Sequence, residues 1–240
     1  MGTNVIIRAD DITGERLRYT GRWFRKFHPD VPCTGFATGP NPHWTQEDWE
    51  VALDLIVDFG WELGGHTVTH PMLPTLDSAD IRREIRDNKE FIENGLASAG
   101  LEYSLQSFAY PTGSYDNRVI DILQEEGYAC GLTYPDGFPY RSCDGIPMGR
   151  DRYTWGITHN AFLGVDEWND RFDRVDQSHQ LYIFCLHPPW WWDTSNEPDS
   201  IGEDFEQGWA DQWNQFNDHL HYIKQADDVN FITVRQALGY

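Results

Sequence analysis

Two histidines four residues apart, His66 and His70 in the stretch Gly64-Gly65-His66-Thr67-Val68-Thr69-His70-Pro71, are the side chains of this sequence best spaced for chemistry. In a helical turn, residues four apart share a face, so the spacing predicts that both imidazoles reach one divalent ion. A catalytic metal site takes three protein ligands, the third often a carboxylate, and keeps a position open. Asp10-Asp11 offers that carboxylate at the end of the apolar run Val5-Ile6-Ile7, and His187 closes a late apolar run, Leu181–Leu186. With nine histidines in the chain, a pair at this spacing is by itself weak. Joined to an acidic pair ending the first strand and a histidine ending a late one, it points to a metal centre.

The elements that must bring these residues together alternate. Strand-like runs fall at Val5–Asp10, Val31–Ala37, Trp61–Gly65, Leu105–Tyr110, Tyr128–Thr133, Ile146–Gly149, Leu181–Leu186 and Val229–Val234. Helical patterns lie between them at Glu15–Phe27, from Thr45 to the stop at Gly60, and at Asp77–Ala99, Asn117–Glu126, Asp166–Asp176 and Asp204–Ala226. Thr45-Gln46-Glu47-Asp48 reads as a side-chain cap followed by acids in the first turn. Strand–helix alternation predicts an α/β fold with a mostly parallel sheet covered by helices. Seven or eight strands fit a distorted or incomplete (β/α) barrel, with a doubly wound sheet second. Asp10-Asp11, His66, Tyr110-Pro111 and His187 all fall at the carboxyl ends of strands, where such barrels place their sites.

The chain has 240 residues, enough for one domain, and carries 39 acidic against 18 basic residues, a net charge of −21. That charge repels polyanions and argues against nucleic acid as a partner. Acids spread along the whole chain with few lysines suggest a halophilic protein adapted to high salt, where self-repulsion is screened. No apolar run is long enough to span a bilayer, and Met1–Asp11 has no secretory signal pattern, so the expectation is a cytoplasmic protein without a membrane partner. Cys33, Cys130, Cys143 and Cys185 form no C-x-x-C pair and read as buried small hydrophobes or free thiols.

In their order along the chain, the motifs resemble those of the polysaccharide deacetylases of the NodB-homology type, a family of carbohydrate esterases. The strand ending in paired aspartates appears as Arg8-Ala9-Asp10-Asp11. The His-Ser/Thr-x-x-His signature appears as His66-Thr67-Val68-Thr69-His70. The aromatic and proline turn appears as Phe108-Ala109-Tyr110-Pro111-Thr112-Gly113, and the late strand with Leu-x-x-His or close to it as Phe184-Cys185-Leu186-His187-Pro188. The resemblance runs from Asp10 to His187 and implies one catalytic domain over residues 1–240. It implies that Asp11, His66 and His70 hold one divalent metal, most readily Zn2+ with Co2+, Ni2+ or Mn2+ as alternatives. It implies Asp10 as general base and His187 as general acid. The activity implied is hydrolytic removal of acetyl groups from an N-acetylated sugar. A related amidohydrolase acting on a small non-sugar C–N bond, or a catalytically impaired carbohydrate-binding protein on the same scaffold, are the alternatives.

Amide hydrolysis needs a polarised carbonyl, an activated water and a proton for the leaving amine. Backbone N–H groups in the turn Tyr110, Pro111, Thr112 are expected to face the oxyanion. Trp190 and Trp191, directly after His187-Pro188-Pro189, are expected to offer faces to a sugar ring. Two departures stand out. The arginine that the family's third motif supplies to orient the base is replaced by Ala109, so Arg150 or Arg152 is expected to substitute. The glycine that often follows the paired aspartates is Ile12 here. The acidic partner expected for His187 is unassigned, with Asp151 and Asp173 as candidates.

Overall fold

The computed structural model describes residues 2–40, 44–134, 149–160, 164–176, 181–188 and 207–240. Eight strands and seven α-helices alternate among the described residues. They are β1 (Thr3–Ile12), α1 (Gly14–Phe27), β2 (Cys33–Ala37), α2 (Gln46–Phe59), β3 (Glu62–Gly65), α3 (Ser78–Ser98), β4 (Ser107–Ala109), α4 (Asn117–Glu125) and β5 (Cys130–Leu132), followed by β6 (His159–Asn160), α5 (Val165–Asp176), β7 (Leu181–Leu186), α6 (Gln207–Ile223), β8 (Val229–Phe231) and α7 (Val234–Ala237).

Helix ends follow their local chemistry. The Thr13 hydroxyl accepts from the Arg16 N–H to start α1. Thr45 and Asp48 form a reciprocal capping box at α2, and Gly60 stops that helix with φ 67° in the left-handed region. Asp77 caps α3 and Asp116 caps α4.

The strands run parallel in the order β5-β4-β3-β2-β1-β7-β6, with β8 beside the first residues of β1. The sheet curls into the incomplete (β/α) barrel expected from the alternation. One short stretch bridges its seam. Trp155 pairs with Leu132 of β5, while His159 and Asn160 pair with Phe184 and Cys185 of β7. The predicted strand Ile146–Gly149 falls mostly outside the described residues; Gly149 itself begins a 3-10 turn to Thr154. The strand that lies beside β7 is instead the two-residue β6.

Strand periodicity divides the core in two. The larger apolar cluster holds Val5, Ile7 and Ala9 of β1 with Leu63, Phe184 and the helix faces, so it lies between sheet and helices. The smaller holds Ile6, Phe36, Ala109, Cys130, Leu132, Trp155, Ile183 and Cys185, which come from the opposite face of the same strands. This second set fills the inside of the curl. Alternation then assigns the polar members of the interior: residues 8 and 10 on β1, 62 and 66 on the β3 line, 134 beyond β5, and 187 beyond β7.

Candidate active site

Consecutive residues on a strand face opposite ways, so Asp10 and Asp11 would diverge on a regular β1. They do not. Between Ala9 and Ile12 the register with β2 shifts, Ala9 pairing with Gly35 and Ile12 with Ala37, so β1 holds one extra residue there. Asp11 takes φ 58°, in the left-handed region. Such a bulge bends a strand and re-aims its side chains. The Arg16 guanidinium donates to the Asp11 carbonyl at 2.6 Å and holds the kink.

The histidine pair is brought together differently from its sequence expectation. Residues 66–70 do not form a helical turn. Thr67 and His70 have φ of 69° and 59°, and the chain doubles back between them. The His70 N–H donates to Thr67 Oγ1 at 3.0 Å. Glu84 of α3 completes the loop, its carboxylate accepting from the Val68 and Thr69 N–H groups, each at 2.9 Å, and from Thr69 Oγ1 at 2.8 Å. Left-handed backbone is costly for a β-branched residue such as Thr67, and such strain persists where surroundings over-determine it. The rings end with centroids 4.9 Å apart, as a helix would also have allowed, but by tight reversal rather than helical pitch.

Asp11 Oδ1 lies 3.3 Å from His66 Nε2 and 3.2 Å from His70 Nε2. His66 is fixed through its other nitrogen. Nδ1 sits 2.7 Å from the Ala109 carbonyl, which can only accept, so Nδ1 carries a proton and Nε2 is the nitrogen turned toward Asp11. Asp11 Oδ1 is buried and has no hydrogen-bond partner among the described residues. Lone pairs facing one another at this range repel unless a cation lies between them. Ligands of a tetrahedral zinc at ~2.1 Å are about 3.4 Å apart, close to the spacing found here. Burial, then the His66 ring, lowers His70 and keeps it neutral and competent to ligate. The three residues therefore fit a divalent ion.

Asp10 belongs to a second group with Cys185 and His187, whose potential ligand atoms also lie within 4.8 Å of one another. A cation is already present there. Arg8, fully buried, donates from Nε to Asp10 Oδ1 and from Nη2 to Oδ2, both at 2.6 Å. This two-point fork fixes the carboxylate plane. Burial would raise Asp10, but the guanidinium outweighs it and holds the carboxyl far below its ordinary range. Sequence reasoning passed over Arg8, although the spacing Arg8-x-Asp10 puts both on one strand face. Arg152 lies in the turn after residue 148 and the side chain of Arg150 lies outside the described residues; the guanidinium on Asp10 is that of Arg8. Tyr134, also unanticipated, contacts both Asp10 Oδ2 at 3.1 Å and His187 Nε2 at 2.8 Å. Burial lowers His187 against the opposing pull of Asp10 and Asp11, so its ring is neutral at neutral pH.

The aromatic turn is more committed than expected. The Tyr110 N–H donates to the Leu132 carbonyl at 2.9 Å, and its ring is wholly buried with the hydroxyl on the Tyr153 carbonyl. Tyr110 thus supplies neither an N–H nor a side chain to a ligand. Pro111 has no N–H, and the Gly113 N–H donates to the Tyr110 carbonyl. Thr112, exposed with φ 55°, retains the N–H of this turn that the protein's own carbonyls do not engage among the described residues. Of the proposed acid partners for His187, Asp173 accepts from the Tyr222 hydroxyl and Asp151 is exposed. Trp190 and Trp191 lie outside the described residues. Cys33, Cys130 and Cys185 are buried free thiols, while Cys143 lies outside the described residues.

In sequence and in fold this chain is similar to the polysaccharide deacetylases. The model of that family, described as polysaccharide deacetylase, matches residues 22–131, a little under half of the chain. Solved structures agree in fold over nearly the whole chain. A family 4 carbohydrate esterase from Bacillus anthracis superposes with a TM-score of 0.57 at 16% identity, covering 98% of this chain and 82% of that one. A family 4 carbohydrate esterase from Streptomyces lividans, solved with acetate, gives 0.56 at 13% identity, with 95% and 90% covered. A family 4 pseudoenzyme from Bacillus anthracis gives 0.56 at 19% identity, covering 98% of this chain and 64% of that one, so this chain spans only about two thirds of that protein's length. No curated protein matches the sequence. Among the described residues, no helix is long and apolar enough to cross a membrane.

Proposed function

We propose that this chain is a zinc-dependent hydrolase that removes acetyl groups from an N-acetylated sugar, with residues 1–240 as one catalytic domain. The observation that carries the reading is the convergence of Asp11 Oδ1 and the His66 and His70 Nε2 atoms on one point, an orphaned buried oxygen among them. Two imidazoles and a carboxylate suit Zn2+. When bound, the ion supplies Lewis-acid activation of the acetyl carbonyl and of the attacking water.

The chain's own groups do the rest. Asp10 takes the proton of the attacking water, and Arg8 keeps that carboxylate ionised and aimed. The Thr112 N–H is placed in the turn expected to meet the oxyanion. Protonated to imidazolium in the substrate complex, His187 gives a proton to the amide nitrogen as the C–N bond breaks, leaving acetate and a free amine. The partner in this reading is a carbohydrate, in keeping with the similarity to polysaccharide deacetylases.

One observation favours a second reading, a sugar-binding protein with impaired catalysis. Asp10 is fully buried and already accepts from Arg8 and Tyr134, which makes it a weak base. The test is acetate release from N-acetylated oligosaccharides by the zinc-loaded protein, beside Asp10→Asn. The first reading expects release that Asp10→Asn abolishes with zinc still bound. Sugar binding without any release supports the second.

A further inference from the structure

We propose that Tyr134 is a positioning residue that ties the base to the acid, donating to Asp10, accepting from His187, and so fixing the acid's proton on Nε2. The proposal rests on the deacetylase reading above.

A phenol has one proton to give and lone pairs to accept with. Its oxygen touches Asp10 Oδ2 at 3.1 Å and His187 Nε2 at 2.8 Å. Asp10 is bound by the Arg8 fork at both oxygens and, as a carboxylate, can only accept. The phenol proton therefore points to Asp10, and the contact with His187 must be an N–H of the imidazole donating to the phenol oxygen. Donation runs one way along the string, from His187 to Tyr134 to Asp10. A proton therefore sits on His187 Nε2. Neither Asp151 nor Asp173 takes part in this arrangement.

Independent packing places the phenol. Tyr134 continues the interior-facing line of Cys130 and Leu132. Its ring lies nearly parallel to that of His187, at 15° and 6.2 Å between centroids, and the Arg8 guanidinium lies 5.3 Å from its ring centre. The turn at Gly113 closes on it. A Cβ at Gly113 would come within 2.8 Å of the Tyr134 ring and 3.0 Å of its backbone nitrogen, and Gly113 takes φ 70°. Thr133 Oγ1 donates to the Gly113 carbonyl at 2.6 Å, locking the two segments together.

The test compares two leaving groups. An N-acetylated chitooligosaccharide needs its amine protonated, whereas 4-nitrophenyl acetate releases an anion that needs no proton. Tyr134→Phe, His187→Ala and the double variant are assayed as the zinc-loaded 240-residue protein. Tyr134→Phe is expected to lower kcat on the amide by about 10–100-fold with little change in KM, and to leave the aryl ester within about threefold. The double variant should be no slower on the amide than His187→Ala alone. Equal losses on both substrates, or multiplying losses in the double variant, overturn the proposal. Should the parent protein cleave neither substrate, the deacetylase reading fails and nitrogen-15 NMR decides the string by itself. A proton on His187 Nε2 that loses its hydrogen-bonded shift in Tyr134→Phe supports it, and a proton on Nδ1 overturns it.

Discussion

Glu62 and Asp11 are both buried carboxylates on the same sheet, at opposite ends of it. Glu62 opens β3 at the amino end of the barrel and is surrounded by neutral donors. Ser107 Oγ reaches Oε1 at 2.6 Å, while Thr34 Oγ1 and the Arg235 N–H reach Oε2 at 3.1 and 2.7 Å. Both of its oxygens are satisfied, and the residue knits β2, β3, β4 and α7 together. Asp11 sits at the carboxyl end with Oδ1 unsatisfied and two imidazole nitrogens turned toward it. A buried polar atom without a partner is costly, and evolved interiors carry few. The difference teaches how to tell a structural acid from a candidate ligand: by the accounting of its lone pairs, since both are buried.

The sharpest way to break that comparison is to remove the ligating charge. Asp11→Asn should cost more than about 100-fold in zinc affinity, measured by calorimetric titration. The metal-free protein should be as stable as before, since no protein hydrogen bond is lost at Oδ1. Zinc binding at parental affinity would refute the assignment of Asp11.

The Arg8–Asp10 pair tests the same logic where the partner is built in. Arg8→Ala leaves a fully buried carboxylate unpaired and should destabilise the fold by about 3–5 kcal/mol in urea denaturation. Arg8→Met combined with Asp10→Asn should recover much of that loss, because it removes both charges together.

The smallest effect concerns acid. Burial holds Glu62 above its ordinary value and its hydroxyl and backbone donors do not fully offset this. The folded state thus favours the protonated form, so this contribution is present below the ordinary glutamate value and is lost as pH rises through the raised one. Asp10 has the opposite sign, its contribution being lost as pH falls through its lowered value. Urea midpoints at pH 4 and pH 7 should therefore show the parent gaining on Glu62→Gln at the lower pH. A difference independent of pH would mean that the folded state does not favour the protonated Glu62.

The sequence alone carried the alternation of strands and helices, because buried parallel strands read as apolar runs and amphipathic helices as stripes with caps. It also offered Asp11, His66, His70, Asp10 and His187 as candidates, because each motif is local and lies at or just beyond a strand end, and the fold gathers them into two adjacent groups. Arg8 was legible in principle, since a two-residue offset on a strand fixes a shared face. What only the tertiary structure decided is how these groups meet. The bulge that turns Asp11 inward, the left-handed reversal that replaces a helical turn between the histidines, and the Glu84 tether from α3 all depend on register and on contacts with distant elements. Tyr134 lies 124 residues from Asp10 and 53 from His187, and no local pattern links the three. Closing the barrel makes them neighbours, because strand parity selects which side chains enter the interior while the curl of the sheet selects which of those touch.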